Sequence, residues 1–273
     1  MWLALCCLLA IDSYGQQTAA LPIVVAGPSQ SAVPVRVSDF TAEVNHQPVT
    51  IASVTSLSGR HLQYELIYDA RLHTDWDDEL HVAKELLKLV ITPGFDTGTL
   101  VSYGELVLLG SQNGRDPRKL ASEVGADRIS PARLYDAIAD GTSWLVQQQS
   151  GSDERKVVLL VCDGKDTGDQ VDLTAAVRAL QKASIPLFAM APSYLEKRKE
   201  GQYMRELSEQ SGGRVYFLPR SAKLTLDDLK RDLKNSILLT LNLPSEKGLL
   251  PLKITNAAHP ESPILSPAYV FVP

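Results

Sequence analysis

The sequence is poor in cysteine, with three in 273 residues. Two of them, Cys6 and Cys7, fall in an apolar segment at the N-terminus, so a processed, exported chain would keep Cys162 alone. One cysteine cannot form an internal disulfide, and the hydrophobic core must then supply the stability. Because Cys162 ends the apolar run 157–162, we expect a buried, inert thiol rather than a nucleophile.

Long apolar runs and basic clusters are also scarce. Beyond the N-terminal segment, no run reaches the roughly 18 apolar residues of a membrane-spanning helix. The net charge is −5 and the longest basic cluster is 197–199, so the composition does not indicate a nucleic-acid partner. The apolar run 2–11 is too short to span a bilayer, and small residues follow it. This pattern predicts a signal peptide over residues 1–15, cleavage after Gly15, and a periplasmic or extracellular location.

Sequence motifs of catalysis are missing as well. The chain contains no G-x-S-x-G elbow, no Walker loop, no H-E-x-x-H and no G-x-G-x-x-G opening a helix. Gly212 and Gly213 follow a predicted helix instead of preceding one, which is typical of a helix end and not of a phosphate-binding loop. The motifs therefore give no reason to predict an enzyme.

Strand-like and helix-like segments alternate through the middle of the chain. Apolar runs predict strands at 64–69, 99–103, 106–109, 157–162, 185–191 and 214–218. Amphipathic spacing and capping residues predict helices at 76–90, 116–124, 130–149, 173–183, 198–211 and 225–237. This alternation predicts an α/β fold with a mostly parallel central sheet wrapped by helices.

The two ends of the chain have a different character. Residues 16–30 are rich in small and polar types and are expected to form a flexible lead. Residues 40–55 alternate apolar and polar positions around Asn45 and His46, which predicts a β hairpin. Strands are predicted again at 238–243, 250–254 and 269–272. We therefore expect a lead and hairpin over 16–60, an α/β domain over 61–237, and C-terminal strands over 238–273 packed on the same unit.

Four stretches, in this order, resemble the von Willebrand factor A domain, and in detail the VWFA-related domain of acidobacterial secreted proteins. They are SDFTAEVNHQPVTIASV, ARLYDAI, VVLLVCDGKDTG and SPAYVFVP, at 38–54, 132–138, 157–168 and 266–273. The resemblance covers roughly residues 33–273. It implies a Rossmann-like sheet with an interaction site at the carboxyl edge of its strands.

The resemblance also implies where a metal would bind. The family's adhesion site uses an Asp-x-Ser-x-Ser turn, a Thr and a further Asp, an oxygen set that suits Mg²⁺. Here Asp69 and Asp163 keep the carboxylates, whereas Arg71, His73 and Ala132 stand at the hydroxyl positions. A guanidinium ~4 Å from a divalent cation would be repelled by ~8 kcal/mol at an effective dielectric constant of ~20. We therefore predict a degenerate site without metal or other cofactor.

Without a metal, Asp69 and Asp163 could be stabilised in two ways. In the first, Arg71 lies across Asp69 and Asp163 as a tethered cation in place of the metal. In the second, Arg71 points to solvent and the aspartates accept hydrogen bonds from loop amides. Asp166 either structures the loop or presents a carboxylate to a partner. The predicted partner-binding residues are Asp69, Arg71, His73, Ala132, Asp163 and Asp166.

The expected function is an exported, non-enzymatic protein-interaction module with an unknown protein partner. One alternative is an Mg²⁺-dependent adhesion module in which Asp69, Asp163 and His73 bind the ion with water. Another is a hydrolase built from the same three residues, which would need a pocket. His73, Asp75, Asp77 and His81 resemble a zinc-binding set, but helix capping and the helix dipole alone explain the acidic residues.

Overall fold

The computed structural model describes residues 17–26, 35–69, 78–103, 108–109, 116–123, 132–148, 154–218 and 222–273. The strands are β1 (Thr18–Val25), β2 (Phe40–Val44), β3 (Gln47–Val49), β4 (Ile51–Ser56), β5 (Leu62–Asp69), β6 (Thr97–Tyr103), β7 (Leu108–Leu109), β8 (Arg155–Val161), β9 (Leu187–Pro192), β10 (Val215–Leu218), β11 (Ser236–Asn242), β12 (Gly248–Asn256), β13 (Ile264–Leu265) and β14 (Tyr269–Val272). The helices are α1 (Glu79–Leu89), α2 (Pro117–Glu123), α3 (Leu134–Gln147), α4 (Leu173–Ala183), α5 (Lys199–Ser211) and α6 (Ala222–Lys234).

A six-stranded sheet forms the centre of the α/β domain. Its order is β10-β9-β8-β5-β6-β7, with the first five strands parallel and β7 antiparallel to β6. Every residue of β5 is buried, as expected for a strand covered on both faces. Helices α1 and α6 pack on one face, and α3, α4 and α5 pack on the other. The predicted α/β fold with helices on both faces is confirmed.

The strands at the two ends of the chain form a β sandwich. One antiparallel sheet has the order β13-β1-β11-β4 and the other β14-β12-β2-β3. Both sheets contribute to a core of their own: Leu21, Ile23, Phe40, Ala42, Val44, Ile51, Ile237, Leu239, Leu241, Leu243, Leu250, Leu252, Ile254, Val270 and Val272. We expected the C-terminal strands to pack on the α/β unit. Instead most of their buried residues face the N-terminal strands, and the α/β domain is inserted between β4 and β11.

Two further predictions about the chain ends were wrong. The lead over 16–30 contains β1, which pairs along its length with β11 and satisfies its backbone groups there. The sequence predicts the last helix at 225–237, but α6 spans Ala222–Lys234, and β11 begins at Ser236. The reason is visible in β11, where Ile237, Leu239 and Leu241 are buried at every second position, the period of a strand.

The hairpin at the start of the sandwich is confirmed. β2 and β3 are antiparallel, and Asn45 and His46 connect them with φ values of 48° and 61°. Positive φ at both central residues is what a two-residue hairpin of the favoured twist requires. In the described ranges, no helix is long and apolar enough to span a membrane.

Candidate functional site

Two neighbouring strands bring aspartates to one edge of the central sheet. β5 and β8 are parallel partners, with Tyr68 in register with Val161. Asp69 ends β5, and Asp163 follows the end of β8. Both residues are buried, at 0% and 1% exposure. Aspartate is seldom fully buried unless its carboxylate has a partner. A buried carboxylate needs charged or hydrogen-bonding neighbours.

Glu79 is one of those neighbours, and the sequence did not single it out. It is the first residue of α1 and is 1% exposed. The Asp69 N–H donates a hydrogen bond to Glu79 Oε1 at 3.1 Å. The only signal in the sequence was an acidic residue near the start of a predicted helix, which the helix dipole explains equally well.

Tyr103 and Cys162 lie against the same carboxylates and are fully buried. Burial raises the pKa of the Cys162 thiol well above its ordinary value, and the charges of Glu79, Asp163 and Asp69 raise it further. Burial and its acidic neighbours likewise raise the pKa of Tyr103. Cys162 is therefore a protonated, buried thiol, as predicted, and does not supply a nucleophile.

A lysine supplies positive charge to Asp163. The Lys165 backbone N–H donates to Asp163 Oδ1 at 3.0 Å, and its Nζ lies 3.8 Å from Oδ2. The Lys165 side chain is 39% exposed, so its ammonium group reaches solvent while Asp163 stays buried. Arg71 and His73, which we predicted to lie here, fall outside the described residues.

Ala132 joins its segment to the loop after β8 through backbone groups. Its N–H donates to Thr167 Oγ1 at 2.9 Å, and its carbonyl accepts from the N–H groups of Thr167 and Gly168 at 3.0 Å each. Ala132 is fully buried. The residue at the family's Thr position thus supports the loop but offers no side-chain oxygen.

Asp136 anchors the end of that loop. The N–H groups of Gln170 and Val171 donate to Asp136 Oδ1 at 3.1 and 2.9 Å, and the Arg133 guanidinium pairs with Oδ2. Although burial raises the pKa of Asp136, the hydrogen bonds from Arg133, Gln170 and Val171 outweigh it and lower that pKa below its ordinary value. Asp136 therefore favours its ionised form and holds the loop after β8 in place.

Asp169 behaves in the opposite way. It accepts from the N–H groups of Tyr135 and Asp136 at 2.7 and 3.1 Å. Burial raises the pKa of Asp169, a hydrogen bond to the Asp166 side chain adds to the rise, and the pKa reaches about 8. The raised pKa of Asp169 favours its protonated form, and its carboxyl lies beside Asp166, the residue predicted to structure the loop or to face a partner.

The described residues at this edge supply only part of the oxygen ligands of the family's magnesium site. Among the described residues, no group of three or more His, Cys, Asp or Glu side chains could hold a metal ion. Ala132 presents a methyl group where a hydroxyl is needed, and the Lys165 ammonium pairs with Asp163. Of the zinc-like set, His81 is exposed on α1, and the other three residues lie outside the described ranges.

Part of the chain matches a known domain family. Residues 110–231 match the model of the von Willebrand factor type A domain. No curated protein sequence matches the chain.

Several solved structures are similar in fold. Proximal thread matrix protein 1 from the mussel byssus, with a zinc-occupied MIDAS motif, aligns at 14% identity and a TM-score of 0.51, over 71% of this chain and 50% of that one. The PilB minor pilin from Streptococcus sanguinis aligns at 10% identity and a TM-score of 0.47, over 64% of this chain and 62% of that one. A von Willebrand factor type A protein from Catenulispora acidiphila aligns at 11% identity and a TM-score of 0.47, over 87% of this chain and 69% of that one. This chain spans about half of the mussel protein and about three fifths of the pilin.

Proposed function

Because the chain contains a von Willebrand factor type A domain, we propose that it is an exported, non-enzymatic protein-interaction module whose adhesion site works without metal. The proposed binding surface is the edge where β5 and β8 end, around Asp69, Ala132, Asp163 and Asp166, with Arg71 and His73 completing it. The narrower resemblance to acidobacterial secreted proteins stays a prediction.

The contact between Lys165 and Asp163 carries this proposal. In a metal-dependent site the ion neutralises the buried aspartates and offers positive charge to a carboxylate of the partner. Here the Lys165 Nζ lies 3.8 Å from Asp163 Oδ2 and is partly exposed. The lysine therefore supports both functions of the ion: it balances a buried carboxylate and presents a cation at the surface. A partner carboxylate would meet an ammonium group in place of a metal.

The non-enzymatic part of the proposal rests on chemistry at the same edge. The buried thiol of Cys162 has a raised pKa, and Asp163 is held by Lys165. A hydrolase built from Asp69, His73 and Asp163 would have to free Asp163 from that ammonium group before the carboxylate could act as a base.

Titration calorimetry with MgCl₂ and MnCl₂ tests the metal-free site. The unaltered protein is expected to show no binding at micromolar metal. A triple variant, Arg71→Ser, His73→Ser and Ala132→Thr, restores the family's oxygen ligands and is expected to gain binding. Adding Asp163→Asn to it should abolish that gain.

Each outcome of this titration decides something. Micromolar binding by the unaltered protein would overturn the metal-free site and favour the Mg²⁺-dependent alternative. Failure of a folded triple variant to bind would show that the site is not a degenerate adhesion site. Metal-dependent thermal unfolding provides an independent measure, since a bound ion raises Tm by mass action.

The interaction itself is tested by charge reversal. Protein captured from an envelope extract by the unaltered chain is expected to be lost with Lys165→Glu. Lys253→Glu, an exposed lysine on β12 of the sandwich, is the matched control and should leave capture unchanged. If Lys165→Glu captures the same protein as the unaltered chain, the partner binds at a different surface.

Export is proposed from residues 1–15 alone. N-terminal sequencing of protein from the periplasm or medium of an expressing bacterium is expected to begin after Gly15. An unprocessed chain confined to the cytoplasm would contradict it.

A further inference from the structure

The loop between β8 and α4, residues 162–172, carries part of the proposed binding surface and begins with a fixed turn. The Lys165 N–H donates to Asp163 Oδ1 at 3.0 Å, which closes an Asx turn. Gly164 has a φ of 74°, and a Cβ there would lie 3.0 Å from the Cβ of Glu200 in α5. The first half of the loop is therefore packed against α5.

The second half of the loop caps the start of α3 with a carboxylate. This helix begins at Leu134, and within the described residues its N-cap side chain, Arg133, makes no capping hydrogen bond. The N–H groups of Tyr135 and Asp136 donate instead to Asp169 Oδ2 and Oδ1, at 2.7 and 3.1 Å. Amides in the first turn of a helix have no acceptor within the helix. Asp169 supplies that acceptor from the loop.

α3 binds the loop in return. Asp136 Oδ1 accepts from the N–H groups of Gln170 and Val171 at 3.1 and 2.9 Å, and the Arg133 guanidinium pairs with its Oδ2. In each direction, one carboxylate binds two successive N–H groups of the other segment. The two segments can separate only if all four of these hydrogen bonds break.

The proposed cation lies between the two anchored halves of the loop. The bonds between Thr167 and Gly168 of the loop and the Ala132 backbone begin two residues after Lys165. Lys165 and Asp166 are thus the only residues between the turn at Gly164 and the part of the loop that is bound to 132–136. The backbone of Lys165 is held from both sides, whereas its side chain reaches solvent.

We propose that Asp136 and Asp169 are positioning residues, whose exchange of hydrogen bonds holds the loop and Lys165 ready for binding before a metal or a partner arrives. This inference rests on the proposed function, because it concerns the surface proposed there. An ion bound by oxygen ligands at positions 132 and 163 would join the same two segments. Here carboxylate–amide bonds join them, and a loop that is already ordered loses little conformational entropy when a partner binds.

Hydrogen exchange of the free protein tests whether the loop is held. It is measured by NMR, residue by residue, in EDTA, which removes divalent ions. The amides of Gln170 and Val171 are expected to exchange at least ~100-fold more slowly than unstructured amides. Exchange at the unstructured rate would overturn the proposal, and this measurement needs no variant.

Asp169→Ala tests whether the two carboxylates act together. It is expected to speed exchange at Gln170 and Val171 at least ~10-fold, although their own acceptor, Asp136, is unchanged. Asp169→Asn keeps an acceptor oxygen and should restore most of the protection. Asp136→Ala is the reciprocal variant, expected to speed exchange at Tyr135, and it replaces Asp169→Ala if that variant does not fold. Unchanged exchange in the folded variants would overturn the proposal.

A nearby aspartate provides the matched control. Asp172 is exposed, and its Oδ1 accepts from the Ala175 N–H at 2.7 Å at the start of α4. Asp172→Ala is expected to leave exchange at Gln170 and Val171 within ~3-fold. The Cys162 N–H, which donates to the Met190 carbonyl at 3.2 Å, monitors the sheet. If Asp169→Ala speeds exchange equally at Cys162, the effect is global unfolding and the proposal fails.

Capture of a partner is the second readout. Capture from an envelope extract is expected to weaken at least ~10-fold with Asp169→Ala and to recover with Asp169→Asn. Full capture by Asp169→Ala, despite faster exchange in its loop, would overturn the positioning role. If the unaltered chain captures nothing, the proposed function fails, and the exchange measurements still decide whether Asp136 and Asp169 hold the loop.

Discussion

A buried glutamate in the centre of the sheet should make the stability of this protein depend on pH. Glu65 lies in β5, in register with Thr99 on β6 and Val158 on β8, and it is 0% exposed. Neither carboxyl oxygen has a hydrogen-bond partner in the described part of the chain. Burial raises the pKa of Glu65, and the nearby Asp140 charge raises it further, to about 8.

The size and sign of the effect follow from linkage. The pKa is about 8 in the fold and 4.5 for the ordinary side chain, so the folded protein binds the proton more tightly. The free energy of unfolding is therefore undiminished below about pH 4.5 and falls as pH rises toward 8. At ~1.36 kcal/mol for each pH unit, the full loss is on the order of 5 kcal/mol, and at pH 7 about 3 kcal/mol. This is a large fraction of the ~5–15 kcal/mol of a typical domain.

Glu65→Gln removes the ionisation with little change of shape. Its free energy of unfolding, measured by urea denaturation from pH 5 to 9, is expected to match the unaltered protein at pH 5. At pH 8.5 the variant should be more stable by several kcal/mol, on the order of the linkage estimate. Glu206→Gln, at an exposed site on α5, is the control and should show no pH-dependent difference. A constant difference between Glu65→Gln and the unaltered protein across this range would refute the reasoning.

Two more stability predictions come from the same domain. A Cβ on Gly141 of α3 would lie 2.5 Å from Glu65 Oε2, so Gly141→Ala is expected to cost about 1–3 kcal/mol of unfolding free energy, and adding Glu65→Ala should recover part of the loss. Asp136→Asn weakens the bonds to the loop after β8 and should cost about 1–3 kcal/mol near neutral pH. Because the pKa of Asp136 is lowered in the fold, its contribution is present above about pH 4 and is lost as pH falls through the folded pKa. Chemical denaturation at pH 7 and pH 3 measures this, and an equal loss at both would contradict it.

The sequence located the candidate site but not its contacts. Asp69 and Asp163 were placed at the ends of parallel strands because the apolar runs before them are unmistakable in the sequence. Glu79, Tyr103 and Lys165 were not singled out, because nothing in their local pattern differs from a helix start, a strand residue or a surface lysine. Their roles come from packing between segments that are distant in the chain.

The periodicity of the sequence by itself determined the α/β architecture of 62–234. The spacing of the apolar residues in a helix or strand indicates which of its faces is buried. It also determined the β2–β3 hairpin, since Asn45 and His46 are adjacent and set the turn. Only the tertiary structure decided that β1 pairs with β11 and that the two ends of the chain share one sandwich core. Local pattern does not specify the partner of a strand across the length of a domain. For the same reason, only the fold revealed that Glu65 is buried in the central sheet and that β10 ends this sheet among the described strands.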